Sequence, residues 1–253
     1  MKPAPGSALR VGLTMLLAWV ATAAVAGEPV TLHWFPRPPF HYIENDRVTG
    51  LLVEPIRAAF EAEGIPYRLE NTPATRLYNT IRNSSGLDCG LGWYKNRQRE
   101  AFARFSQAFY LDAAIVGVVR KSKGVPPHIS AAELLTKWEI RALVKQTFTH
   151  GAYLDSLLSN PGDKLHVERI SAEVPKILQM VSADRADLAL MLPVEADYVF
   201  SHGVRAEDFQ VLHFPDVPAK EYRYLMCSQK IPDDMMLRIN KAISRHVHLA
   251  AQP

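Results

Sequence analysis

An α/β fold in two lobes follows from three features of the sequence. Strand-like and helix-like segments alternate over residues 30–92, and the alternation begins again after a Lys-, Ser-, Gly- and Pro-containing stretch at 121–127. Such alternation favours a largely parallel sheet flanked by helices. The third feature is the cysteine pair, Cys89 in the first block and Cys227 in the tail. If the two are joined, the tail packs on the first lobe, and the chain crosses over near 120 and returns near 212. Two crossovers make a two-strand hinge with a cleft between the lobes. The expected division is 27–120 with 212–253 for lobe 1 and 121–211 for lobe 2.

Residues 1–26 are set apart from this fold. Lys2 and Arg10 give a positive start, 11–25 is a run of small and apolar residues, and Ala24-Val25-Ala26 has the small-x-small pattern that signal peptidase cuts after. The run is shorter than the roughly 20 residues of a membrane-spanning helix. A cleaved signal peptide is therefore expected rather than a retained anchor, and with it a periplasmic location. The formal charge of +3 includes Lys2 and Arg10, so the remainder carries +1. A nearly neutral chain argues against general nucleic-acid binding, which needs a basic surface. In an oxidising compartment an even pair of cysteines points to one disulfide; two separately buried thiols are the alternative. Neither cysteine lies in a CxxC or beside a spaced His pair, so no metal and no cofactor are expected.

Residues 30–35 form a strand candidate, and Pro36-Arg37-Pro38-Pro39-Phe40 must leave the sheet because proline cannot donate to a ladder. Asn45-Asp46 and Gly50 mark a turn. Val53, Ile56, Ala59 and Phe60 share one helical face, with Pro55 in the first turn and Gly64 past the end. A strand at 67–70, a short helix at 75–82 and a strand at 87–92 follow. Residues 93–110 combine a turn rich in cations and aromatics with an apolar run, and 113–120 is a β-branched strand assigned to lobe 1. Beyond the linker, Ser130-Ala131-Ala132-Glu133 is a capping box. Strands at 141–145, 165–170 and 187–192 then alternate with helices at 151–158, on Val174, Ile177, Leu178 and Val181, and at 195–200. Two strand-like runs at 209–214 and 222–228 and a helix on Met236, Ile239 and Ile243 make the tail.

The order of these motifs resembles the type 2 periplasmic solute-binding proteins of bacterial extracellular family 3, which includes polar amino-acid receptors. Pro38-Pro39-Phe40 with Gly50 ten residues on, Asp88 before the central strand, Arg99-Glu100 followed by Phe105-Ser106 and Tyr110, Arg185-Ala186-Asp187, and the run 225–228 before the last helix carry the resemblance. It implies two α/β lobes that close on a small molecule, and a monomeric, non-catalytic receptor that hands its ligand to a membrane ABC transporter permease. It also implies that Arg99 clamps a ligand carboxylate. The chemistry is sound in its own right, since a guanidinium offers a planar fork that matches a carboxylate with two charge-assisted hydrogen bonds. The alternative is that Arg97, Arg99 and Arg104 form a solvated helix face.

Other candidate ligand-binding residues each have a plainer alternative. Arg76 opens a helix and would face the same cleft, or form a structural salt bridge. Gly92, Trp93 and Tyr94 stand where the resembled family brings strand-end backbone to the ligand, with Gly allowing close approach; the two aromatics are otherwise core. Phe40, on a stiff proline loop, would pack on the ligand or in the core. Phe148 and Thr149 lead into a helix N-terminus that presents free N–H groups to an anion, or Thr149 is only an N-cap. Amino-acid receptors of this kind usually place an Asp near the end of the late strand to bind the α-ammonium. Here Met191-Leu192-Pro193 stands instead, with Glu195 the nearest carboxylate. A cyclic-acid dehydratase on the same scaffold would use Glu195 or His150 as general acid or base. A sensor or partner module is the remaining alternative. His246-Val247-His248 is not a metal site, because residues i and i+2 do not share a helix face.

Overall fold

The structure is a computed structural model and describes Met1 and residues 27–146, 148–218 and 221–249. The expected signal peptide, Met1 aside, lies outside the described residues. The first block gives β1 (Val30–Trp34), a hairpin of β2 (Tyr42–Glu44) and β3 (Arg47–Thr49), α1 (Val53–Ala62), β4 (Tyr67–Asn71), α2 (Ala74–Asn83), β5 (Asp88–Tyr94), the single turn α3 (Arg97–Glu100), β6 (Ala103–Phe105) and β7 (Tyr110–Asp112). The second gives β8 (Val116–Arg120), α4 (Ala131–Lys137), β9 (Ile140–Lys145), α5 (Ala152–Ser159), β10 (Leu165–Ile170), α6 (Val174–Ser182), β11 (Leu188–Met191), α7 (Pro193–Ser201) and β12 (Phe209–His213). The tail is β13 (Glu221–Ser228) and α8 (Asp233–His246).

Two sheets organise the chain. The first runs β4-β1-β5-β13-β6, with β7 also on β13. In it β4, β1 and β5 are parallel and β13 is antiparallel to β5. The buried face of α1, on Val53, Ile56, Ala59 and Phe60, meets Ile239 and Ile243 of α8 in the core on one side of this sheet. Burying Ile56 or Phe60 stabilises by roughly 1.5–3 kcal/mol each. Leu77 and Ile81 of α2 cover Met226 in a separate cluster. The second sheet runs β10-β9-β11-β8-β12. Its strands alternate faces residue by residue, as period-2 geometry requires. Leu188 and Leu190 of β11 join the core formed with α4 and α5, while Ala189 and Met191 join that formed with α6 and α7.

Asn45 and Asp46 both have positive φ, 49° and 58°, which makes the expected turn a tight hairpin between β2 and β3. Ser130 accepts from the Glu133 backbone N–H at 3.0 Å and caps α4. Cys89 and Cys227 are register partners on β5 and β13, and a disulfide joins them.

The crossover points differ from those expected. β8 pairs with β11 and β12, so 116–120 belongs to the second sheet, as does 209–213. The chain leaves the first sheet after Asp112 and rejoins it at Glu221. A buried β-branched run shows that a strand is central without showing in which sheet: Val118 and Val119 of β8 point into opposite cores of the second. At the hinge Asp112 faces Glu221 on one side and Val116 faces His213 on the other. No described helix is long and apolar enough to cross a membrane.

Candidate functional site

A cleft lies between the two sheets. One wall comes from the segment after β1, the C-terminal end of β5 and α3. The other comes from Phe148 and Thr149, just beyond β9. Strand ends supply such sites because a parallel sheet stops there and its connections must turn away.

Arg99 sits at the centre of the first wall. Asn96 caps α3 by accepting from the Arg99 N–H at 2.9 Å, which sets the residue at the helix start. Its guanidinium lies 4.8 Å above the Trp93 ring, and one Nη1–H donates to the Tyr94 carbonyl at 2.7 Å. Among the described residues no acidic side chain forms an ion pair with it. Burial disfavours its charged form and lowers its pKa. Arg97 is exposed on α3, as foreseen, whereas Arg104 lies on β6, partly buried and paired with Asp233 at 2.7 Å, and belongs to no solvated helix face.

Beneath Arg99 a second arginine builds the floor. Arg223 of β13 is buried, ion-paired to Asp112 at 2.7 Å, and donates to the Gly92 carbonyl at 2.8 Å and the Tyr94 hydroxyl oxygen at 3.1 Å. The Tyr94 hydroxyl in turn donates to Asp112 Oδ2 at 2.5 Å. Burial opposes the charge of Arg223, but the neighbouring Tyr94 and Asp112 more than offset this and raise its pKa. Gly92 has φ +73°, a backbone conformation that favours glycine, and a Cβ there would stand 2.3 Å from Leu52 Cδ1 and require that side chain to move.

Arg37 comes from the proline loop, where Arg37 and His41 form an isolated bridge. Its guanidinium lies 4.3 Å from the Phe148 ring centre and 4.9 Å from that of Phe40. Its Nε–H donates to Glu195 Oε1 at 2.8 Å. His41 is buried between Phe35 and these cations, and desolvation together with Arg37 pulls its pKa down to about 3. The ring is therefore neutral. On the far wall Lys145 pairs with Glu173 at 2.8 Å and its Nζ lies 4.4 Å from the Phe148 ring centre.

Gly92, Trp93, Tyr94, Arg99, Phe148 and Thr149 are thus brought to one cleft. Three expectations need correction. Phe40 is fully buried in the first core, edge-on to Tyr110, and serves as a platform beneath Arg37 and Arg223 instead of a cleft wall. Arg76 is exposed near the start of α2 and is absent from the cleft lining, because the buried stripe of that helix runs through Leu77 and Ile81. Glu195 is 2% exposed, with one oxygen on Arg37 and the other accepting from the Leu192 N–H at 3.1 Å, so neither is free for an ammonium. At the start of α5 the His150 N–H donates to Asp155 Oδ1 and the Gly151 N–H to Thr149 Oγ1, while the Thr149 hydroxyl donates to Asp155. Gly151, not Thr149, is the N-cap of α5 and no side chain caps it, so Thr149 instead closes a local turn with Gly151 and Asp155.

Arg37, Arg223, Asp112 and His41 were not singled out from the sequence. The available signals were an arginine between prolines and an arginine inside an otherwise apolar strand. Such residues are buried only when paired. No group of three His, Cys, Asp or Glu residues among those described could hold a metal ion.

Two α/β lobes on a paired-strand hinge with a cleft between them define the type 2 periplasmic binding-protein fold, and comparison with solved structures agrees. The arginine-, lysine-, histidine-binding protein ArtJ of Geobacillus stearothermophilus superposes with a TM-score of 0.67 at 18% identity, over 86% of this chain and 89% of that one. A structure described with glutathione import by GshT in Streptococcus mutans gives a TM-score of 0.70 at 18% identity, over 86% and 88%. A histidine kinase sensor domain with similarity to periplasmic binding proteins gives 0.69 at 16%, over 87% and 90%. At these identities the likeness establishes the fold. No family model and no curated protein matches the chain in sequence.

Proposed function

We propose that the protein is a periplasmic solute-binding protein that captures a small carboxylate-bearing solute between its lobes and passes it, as a monomer, to an ABC-type transporter. The observation that carries this is Arg99: a half-buried guanidinium, stacked on Trp93, facing the cleft and without an acidic partner among the described residues. A buried unpaired cation is costly, and a ligand carboxylate would relieve that cost with two charge-assisted hydrogen bonds. Solved structures of this fold described as an arginine-, lysine-, histidine-binding protein and as the substrate binding protein of an amino acid ABC transporter are consistent with the role.

A sensor module is the second reading, supported by the likeness to the histidine kinase sensor domain. It shares the same ligand chemistry and differs in the partner. Both oxygens of Glu195 are engaged, which leaves the dehydratase alternative with His150 as its candidate acid or base.

A thermal-shift screen of the purified protein against small carboxylic acids tests the role. A binder raises the apparent stability by mass action. A panel in which no acid raises the melting temperature contradicts it.

A further inference from the structure

Resting on that reading, we infer that the ligand is a small organic acid without an ammonium group, held by a carboxylate on Arg99 in a cleft whose charge rejects the α-amino counterpart of the same acid. The distribution of charge around the cleft carries this. Its lining includes three guanidiniums, those of Arg37, Arg99 and Arg223, and no carboxylate among the described residues. Thr147, Ala219 and Lys220, which lie between 27 and 249 but outside the description, carry no carboxylate either.

Every acidic group close to the cleft but one is already bonded. Glu195 is held by Arg37 and the Leu192 N–H, Asp112 by Arg223 and Tyr94, Glu173 by Lys145, and Asp155 by Thr149 and the His150 N–H. The remaining one is Glu221 on the hinge strand. It approaches the backbone of Gly151 and does not line the cleft. Burial and the nearby Asp112 raise its pKa, while the charges of Arg223 and Arg99 act on it in the opposite sense. An ammonium placed beside the carboxylate on Arg99 would meet the like charge of three guanidiniums and no carboxylate among the described residues of the cleft lining.

The body of the acid would lie against Trp93 and beside the contacting rings of Phe35 and Phe148, whose centres are 6.3 Å apart. Arg37 uses only its Nε–H on Glu195, and its remaining N–H groups have no hydrogen-bond partner among the described residues. They can serve a second acceptor on the ligand, such as a keto oxygen or a second carboxylate.

Matched pairs decide the matter by titration calorimetry on the purified protein: succinate against aspartate, 2-oxoglutarate against glutamate, and phenylpyruvate against phenylalanine. The expected result is that at least one acid lacking the ammonium binds, with its amino partner at least tenfold weaker. If the amino member of the binding pair is equal or tighter, the inference is overturned, while loss of that binding in Arg99→Ala would leave the carboxylate-binding role standing. If, in addition, Glu195→Gln weakens only the amino member, then Glu195 leaves Arg37 to meet the ammonium. If no member of any pair binds, or Arg99→Ala binds as well as wild type, both the inference and the role beneath it fail.

Discussion

Arg37 and Glu195 form an ion pair at 2.8 Å that joins the loop after β1 to the start of α7, and so ties one lobe to the other across the cleft. Their side chains are 12% and 3% exposed. The Arg37 guanidinium also stacks on Phe148 of the far wall. Leaving one charge of a buried pair without its partner costs about 3–5 kcal/mol, whereas replacing both by apolar groups is often close to neutral. Arg37→Ala should therefore lower unfolding stability by that amount, and the double substitution Arg37→Met with Glu195→Leu should recover most of it. Solution scattering should show the Arg37→Ala lobes further apart. Additive losses in denaturant unfolding would contradict a pairwise clasp.

Acid should weaken the structure in two stages. Burial opposes ionisation of Glu195, but Arg37 prevails and holds its pKa below the ordinary value. Its contribution is thus complete above the usual Glu value of roughly 4.3 and is lost as pH falls through the lower folded pKa. His41 acts at higher pH. Its folded pKa is about 3 against 6.5, so below 6.5 the unfolded chain takes a proton that the folded one refuses. Stability should fall between those values, by up to about 4–5 kcal/mol from this group. Denaturant midpoints measured from pH 7 to pH 4 should decline, and His41→Gln should flatten the slope; an unchanged slope would contradict the buried neutral ring.

The disulfide encloses both crossovers and the whole second sheet, with Cys89 and Cys227 separated by 138 positions in sequence. Removing it should cost about 2–5 kcal/mol, chiefly by freeing the unfolded chain. Urea unfolding of the Cys89→Ala, Cys227→Ala double variant should show the loss. An unchanged midpoint would show that the bond contributes nothing to stability.

Much of the scaffold was legible because it depends on local periodicity. Val53, Ile56, Ala59 and Phe60 are the buried face of α1 as their spacing requires, and 165–170 is β10 to the residue. The short strands β6 and β7 escaped notice because their three residues carry no measurable period. The crossover was misplaced because burial on both faces of β8 marks a central strand without marking its sheet. In the cleft, Arg99 and the Gly92–Tyr94 wall could be found from order along the chain. Arg223, Asp112 and the Arg37–Glu195 pair could not, since their partners are 111 and 158 residues away and only the folded topology brings them together. Glu195 looked available in the sequence for the same reason: its partner lies in the other lobe.

The central claim is that the guanidinium of Arg99, which has no acidic partner among the described residues, binds a ligand carboxylate. Calorimetric titration of the best-shifting acid into wild type, Arg99→Lys and Arg99→Ala tests it most directly. Loss of a bidentate charge-assisted pair is worth about 2–4 kcal/mol, so Arg99→Ala should weaken binding roughly 30- to 1,000-fold, with Arg99→Lys intermediate because a point charge cannot reproduce the fork. An Arg99→Ala protein that remains folded and binds with wild-type affinity would contradict the account.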